Sequence, residues 1–241
     1  MCTVTIIPNG SNDFVLTSNR DEAPDRISIA PEIYSIANTK ALFPKDVMSN
    51  GTWIGLSEKN RLVCVLNGGF KYHERKTSYR LSRGIVAKDL MVAGDLEQAV
   101  DTYDLMGVEP FTMVIVDWDK VLKFYELVWD GEVKHFKSLP LEPAIWSSST
   151  LYTASMKAER LRWFEAFKQS NSTDAPSLLA FHKTAGKGNL DYGVVMDRGI
   201  VKTTSITQVV KCGGRIEMHY EGLETNLVVT KEFNLSEVVN D

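Results

Sequence analysis

Only three cysteines, Cys2, Cys64 and Cys212, occur in 241 residues. They are too few and too scattered for a disulfide framework. The four histidines, His73, His135, His182 and His219, show no ligand spacing, and neither C-x-x-C nor H-E-x-x-H occurs, so no metal is expected. Long apolar runs are also missing. The longest is five residues, Leu62 to Leu66, against the about 20 that a membrane-spanning helix needs. No Lys or Arg precedes Arg20, and Ile6-Ile7 runs straight into Pro8-Asn9-Gly10. A secretory signal needs a basic flank and roughly 7–15 apolar residues, so a cytoplasmic location is the expectation. There is no basic excess either: 27 Lys and Arg face 31 Asp and Glu, for a net charge of −4. Phosphate-backbone binding normally leaves the opposite balance, so no nucleic-acid partner is expected.

What remains is ordinary globular composition, 44% hydrophobic and 24% charged. No repeat, heptad pattern or low-complexity linker interrupts it, so one domain over residues 1–241 is expected. Thr3 to Ile7 and Phe14 to Thr17 are strand-like around the polar turn Asn9 to Asp13, and Trp53 to Leu56 with Leu62 to Leu66 make a second hairpin. Residues 23–50, with Pro24, Pro31 and Pro44, read as a long loop holding a short strand near Ile33 to Ile36. Helical spacing follows at Leu81, Ile85 and either Val86 or Leu90, and again at Leu96 to Tyr103. Strands follow at Phe111 to Val116, Val121 to Leu127 and Val133 to Phe136. A helix over 155–168 turns Met156, Leu161, Phe164, Phe167 and the aliphatic part of Arg160 inward, and a short helix covers Pro176 to His182. Ile200 to Val210 and Ile216 to Tyr220 close the chain as strands. Segregated runs of strands and helices favour an α+β fold over an alternating parallel sheet.

Three places can carry chemistry. Removal of Met1 would leave Cys2 with a thiol and a free α-amine on one residue. The amine has a reference pKa of about 7.7–8.0, near ambient pH and suited to taking the thiol proton. Asn19-Arg20-Asp21-Glu22 directly follows a strand whose end lies beside the start of the first strand if the hairpin forms. Asp21 would then orient the amine, and Arg20 would lower the thiol pKa or clamp a substrate carboxylate. A solvated charge cluster at a strand end is the alternative. Asn67, ending an apolar strand before Gly68-Gly69, suits an oxyanion stabiliser made of a side-chain amide and neighbouring backbone N–H groups, or else a plain hairpin turn. The basic stretch Lys71, Arg75, Lys76, Arg80 and Arg83 suits either an anionic ligand or a solvated helix face. Cys64, between Val63 and Val65, reads as core.

Taken together, Met1-Cys2, Ser18-Asn19-Arg20-Asp21-Glu22, Gly51-Thr52-Trp53-Ile54-Gly55-Leu56-Ser57, Asn67 and Ser82-Arg83-Gly84 resemble the NRDE family, also called the transport and Golgi organisation protein 2 family. The resemblance implies an N-terminal-nucleophile hydrolase-like fold, a four-layer αββα sandwich, with a distant link to choloylglycine hydrolase and penicillin V acylase. It implies catalytic Cys2, Asp21, Arg20 and Asn67, with Asn19, Trp53, Arg83 and Ser148 as substrate-binding residues. The function expected is a cysteine amidohydrolase acting on a small acyl amide, without a cofactor. The alternative is a non-catalytic protein that binds and carries haem or an acyl-CoA or lipid, one histidine serving as axial ligand. A small-molecule substrate or ligand is the partner on either reading, and nothing in the sequence specifies an oligomeric state. The chain departs from the acylase pattern at Ser18, where the acylases carry Arg, and at Trp146-Ser147-Ser148, which replaces Leu-Ser-Asn. The Arg of the late Thr-rich strand is also missing, unless Lys202 substitutes for it.

Overall fold

The computed structural model describes residues 3–170 and 172–234. Alternation between apolar and polar side chains folds the first strands into hairpins: β1 (Thr3–Asn9) pairs antiparallel with β2 (Asp13–Glu22), Thr3 opposite Asn19 and Asn9 opposite Asp13. The second strand is longer than the sequence pattern suggested. Asn19, Arg20 and Asp21 therefore lie inside a buried strand, not in a solvated cluster after one.

The stretch expected to be a long loop with a short strand near Ile33 to Ile36 is a full hairpin, whose first strand contains that segment. β3 (Ser28–Ile36) and β4 (Thr39–Asp46) are joined by Ala37 and Asn38, whose φ angles are 47° and 63°. Two successive positive φ angles give a turn whose twist matches the flanking strands, but Ala-Asn lacks the Asn-Gly signature that marks it. Pro31 and Pro44 are tolerated because the ladder shifts register between Ile29 and Glu32, where neither proline has to donate to a paired strand.

β5 (Ile54–Ser57) and β6 (Arg61–Asn67) follow, then α1 (Arg83–Val92), capped by the Ser82 hydroxyl, and α2 (Leu96–Thr102), capped by Asp95. β7 (Phe111–Asp117), β8 (Lys123–Trp129) and β9 (Lys134–Leu139) form a meander. β10 (Ala144–Ser147), α3 (Ala154–Ser170), α4 (Ala175–Thr184), β11 (Lys202–Cys212), β12 (Arg215–Gly222) and β13 (Leu227–Glu232) complete the described chain. β10 and β13 are edge strands that the sequence pattern did not disclose.

Two antiparallel sheets result, ordered β10-β1-β2-β11-β12-β13 and β3-β4-β5-β6-β7-β8-β9. α1 packs on β5 and β6, while α3 and α4 pack on β10, β2 and β11, giving the αββα layering. The period-two rule explains how strands buried on both faces serve two cores. In β6, Leu62, Cys64 and Leu66 enter the layer between the sheets with Val4, Ile6, Phe14 and Leu16, while Val63 and Val65 meet Val86, Leu90 and Met91 under α1. Burial pushes the Cys64 thiol up to about 12, so it is a core residue without nucleophilic character.

Beneath α3 and α4 the pattern changes. Phe164, Phe167, Leu178 and Phe181 cover Ile7 and Val15, but the rest of that sheet face presents Thr3, Thr5, Asn19 and Asp21. The helices answer with buried Arg160 and His182. Leu161, expected inside, is exposed, and Arg160 is buried through its guanidinium and not only along its stem.

Candidate functional site

Backbone contact between two glycines assembles the cleft. Gly51 and Gly84 lie face to face, so a Cβ on Gly84 would fall 2.8 Å from the Thr52 carbonyl oxygen and 2.9 Å from its nitrogen. The Thr52 N–H donates to the Gly84 carbonyl at 3.3 Å. This joins the Gly51-to-Ser57 segment to Ser82-Arg83-Gly84 and sets Trp53 and Arg83 on the wall of one cleft of about 340 Å³, with Asn67, Glu22, Arg26 and Glu109. A contiguous recess of about 180 Å³ shares Asn67, Arg83 and Glu109 and adds His73.

Charge in the cleft is arranged in pairs. Arg20 donates to Asp46 at 2.7 Å and Arg26 reaches the same carboxylate at 2.8 Å. Arg26 also pairs with Glu22 at 3.2 Å, and Arg83 with Glu109 at 3.2 Å. Burial alone would raise the Asp46 carboxyl, but hydrogen bonds from Arg26 and Ser49 outweigh it and hold the group below the usual carboxylate range. Burial also draws the Arg83 guanidinium downward, with Glu109 opposing. The Arg20 guanidinium stacks on the Trp53 ring, 4.5 Å from its centroid, and also donates to the Arg26 carbonyl and the Thr204 hydroxyl. Arg20 is therefore locked behind the wall and does not line the cleft. Two polar atoms in the wall, Trp53 Nε1 and His73 Nδ1, are buried without a hydrogen-bond partner. A buried donor left unmade costs stability, and a ligand acceptor would satisfy the Trp53 indole.

Asn67 owes its place to the joint between the sheets. Its carbonyl accepts from the Ser148 hydroxyl at 2.8 Å and the Ser149 N–H at 3.2 Å. Gly68 has a φ of 84°, and its N–H donates to Pro110. That N–H is thus committed, and the expected set of free backbone donors beside Asn67 is reduced by it. Ser148 is fully buried in this joint and acts by holding Asn67, away from direct contact with a ligand.

Asp21 is buried at the end of β2. Its carboxylate accepts from the Tyr152 hydroxyl at 2.6 Å and from the Thr203 hydroxyl at 2.6 Å. Tyr152 is held in turn under the Arg160 guanidinium, 3.6 Å from its ring centroid, and Arg160 also donates to Thr3, Tyr192 and Gly193. Asn19 faces the same helix layer. Its amide donates to the His182 and Val194 carbonyls and accepts from the His182 ring, so it braces the sheet and does not line the cleft. Cys2 lies outside the described residues. Tyr152, Thr203, Asp46 and Arg26 escaped the sequence reading. Arg160 left one trace, a charged residue on the apolar face of an amphipathic helix.

Among the histidines, His182 has both ring nitrogens engaged, His135 bonds Asp130, and His219 bonds Thr230 and Glu221. His73 Nδ1 is a buried ring nitrogen without a hydrogen-bond partner.

The family model for Transport and Golgi organisation 2 matches residues 1–180. No curated protein sequence matches significantly. Among solved structures, the chain is similar to a conjugated bile acid hydrolase variant from Clostridium perfringens, at 12% identity and a TM-score of 0.54, covering 97% of this chain and 94% of that one. It is similar to penicillin V acylase from Agrobacterium tumefaciens, at 10% identity and a TM-score of 0.52, over 98% and 87% of the two chains. It also resembles the Caenorhabditis elegans ortholog of N-acylethanolamine-hydrolyzing acid amidase, at 12% identity and a TM-score of 0.58, over 87% and 92%. These likenesses establish the N-terminal-nucleophile hydrolase fold.

Proposed function

The chain belongs to the Transport and Golgi organisation 2 family, and on that premise we propose that it is a cysteine amidohydrolase acting on a small acyl amide. One observation carries the reading. Thr3, the residue covalently joined to Cys2, pairs with Asn19, which is one residue before Arg20 and two before Asp21. Arg160 fixes Thr3 from the helix layer, and Tyr152 and Thr203 fix the Asp21 carboxylate. A nucleophile bonded to Thr3 would thus be tethered to a buried strand whose partner carries an oriented carboxylate, the preorganisation that covalent catalysis needs.

In the mechanism proposed, Cys2 becomes the first residue after Met1 is removed. Its α-amine takes the thiol proton as sulfur attacks the amide carbonyl. Asp21 orients the ammonium so formed, and the Asn67 amide donates to the oxyanion. The C–N bond breaks, the ammonium proton passes to the leaving amine, and water then cleaves the thioester to release the acid. Trp53 Nε1 and Arg83 bind the substrate in the cleft. Arg20, Asn19 and Ser148 act as positioning residues through Asp46, the sheet and Asn67.

The test is turnover of a panel of short acyl amides, followed by mass spectrometry. Cys2→Ala is expected to abolish hydrolysis with the melting temperature nearly unchanged. The intact wild-type chain is expected to be lighter than its sequence by one methionine. Wild-type rates in Cys2→Ala, or a retained Met1 in an active preparation, would overturn the assignment.

A further inference from the structure

A second opening of about 190 Å³ is lined by Leu66 and Gly69, the residues that flank Asn67-Gly68 in sequence. Leu66, Phe70, Val128 and Trp146 give it an apolar wall, and Ser149 and Lys157 form its polar end. Lys157 is half-buried in the first turn of α3 and donates to the Ser149 hydroxyl at 2.8 Å. That hydroxyl in turn donates to the Gly69 carbonyl at 2.6 Å, so it brings no negative charge.

No carboxylate neutralises this ammonium among the described residues. Glu126, the acid in the same wall, is already engaged: Lys137 takes one oxygen at 2.7 Å and the Trp146 indole the other at 2.7 Å. The first turn of α3 contains no acidic residue, and a helix disfavours a cation at that end. Burial lowers the Lys157 pKa for want of a compensating partner. The Ser149 hydroxyl thus satisfies one Lys157 donor without neutralising its charge, which leaves the ammonium able to pair with an anion in the opening.

We propose that Lys157 anchors a carboxylate, and that this opening takes the arm of a small amphipathic molecule whose apolar stem lies along Trp146 and Phe70. A single ammonium matches a monoanion; a phosphate dianion would keep an excess charge close to Glu126. Asn67 lines the main cleft and its neighbour Leu66 the second opening, so the arm belongs to the amide substrate if the amidohydrolase reading is right. In that respect alone the inference rests on it.

Binding tests the site without turnover. Wild-type protein is titrated by calorimetry with 4-phenylbutyrate, with its neutral isostere 4-phenylbutanamide, and with phenyl phosphate. The carboxylate is expected to bind at least about tenfold tighter than the amide, the effect of one desolvated charge pair, and tighter than phenyl phosphate. Lys157→Met is expected to erase that preference while leaving amide binding and the melting temperature unchanged, and Lys157→Arg to retain it. Equal binding of carboxylate and amide, binding of neither, a preference for the phosphate, or a preference that survives in Lys157→Met would each overturn the proposal. Cys2→Ala separates the two ideas: it is expected to bind the carboxylate as wild type does, and a wild type that hydrolyses no amide yet shows the Lys157-dependent preference would sink only the amidohydrolase.

Discussion

Acid should weaken this fold through one imidazole. His182 is fully buried beneath β1 and β2, where burial, reinforced by Arg160, lowers its pKa from 6.5 to about 3. The geometry fixes its neutral tautomer. Asn19 Nδ2 donates to two carbonyls, so Asn19 Oδ1 must accept from His182 Nδ1, and Nε2 is left to accept from the Thr5 hydroxyl at 2.7 Å. A proton on Nε2 would place a charge in a dry layer. The unfolded chain takes up that proton near 6.5, whereas the folded one resists until about 3. The stabilisation from neutral His182 is therefore complete above the unfolded value and is lost as pH falls toward the folded one, at about 1.4 kcal/mol per unit. Between about pH 7.5 and about pH 4.5 the loss comes to roughly 2.7 kcal/mol. Urea denaturation across that range measures it. His182→Gln should be less stable near neutrality by about 1–3 kcal/mol but should show a shallower acid slope, and the difference between the two proteins cancels the carboxylates they share. Parallel slopes would refute the reasoning.

Substitutions at two further positions probe the scaffold. Gly84→Ala should lower the urea midpoint by the equivalent of about 1–3 kcal/mol, because its Cβ meets Thr52 backbone that cannot turn aside; unchanged stability would show that the Gly51–Gly84 contact is loose. Arg160→Met should destabilise by about 3 kcal/mol or more by stranding the Tyr192 and Gly193 carbonyls and the Thr3 hydroxyl, and Arg160→Lys should not restore it, since an ammonium cannot reproduce the forked bonds and the stack on Tyr152.

Local chemistry made much of this molecule readable from its residues. Alternation and turn dipeptides disclosed β1, β5 to β8, β11 and β12, and the helices declared themselves by spacing, while the caps Ser82, Asp95 and Asp174 were identified only in the structure. The β3–β4 hairpin stayed hidden because its turn is Ala-Asn and its prolines sit at a register shift, a feature that exists only once two strands are paired. The short edge strands β10 and β13 were equally silent. Their residues are strand only because β1 and β12 supply the partners.

The candidate site divides along the same line. Asn67 and Arg83 could be singled out because a strand-ending amide and a basic stretch are patterns in sequence, and Trp53 through the family resemblance. Their neighbours could not. Arg20 looked available to a ligand until the fold set Asp46, 26 residues away, against its guanidinium. Asp21 acquired its orientation from Tyr152 and Thr203, distant by 131 and 182 residues. Lys157 reads as an ordinary surface lysine on a helix until Glu126 is seen to be taken by Lys137. A residue's type and periodicity are properties of the chain, so sequence determined which elements form and which side chains can do chemistry. Desolvation and partnership depend on distance in space, so only tertiary structure decided which of those charges are neutralised, which are buried, and which are left facing a cleft.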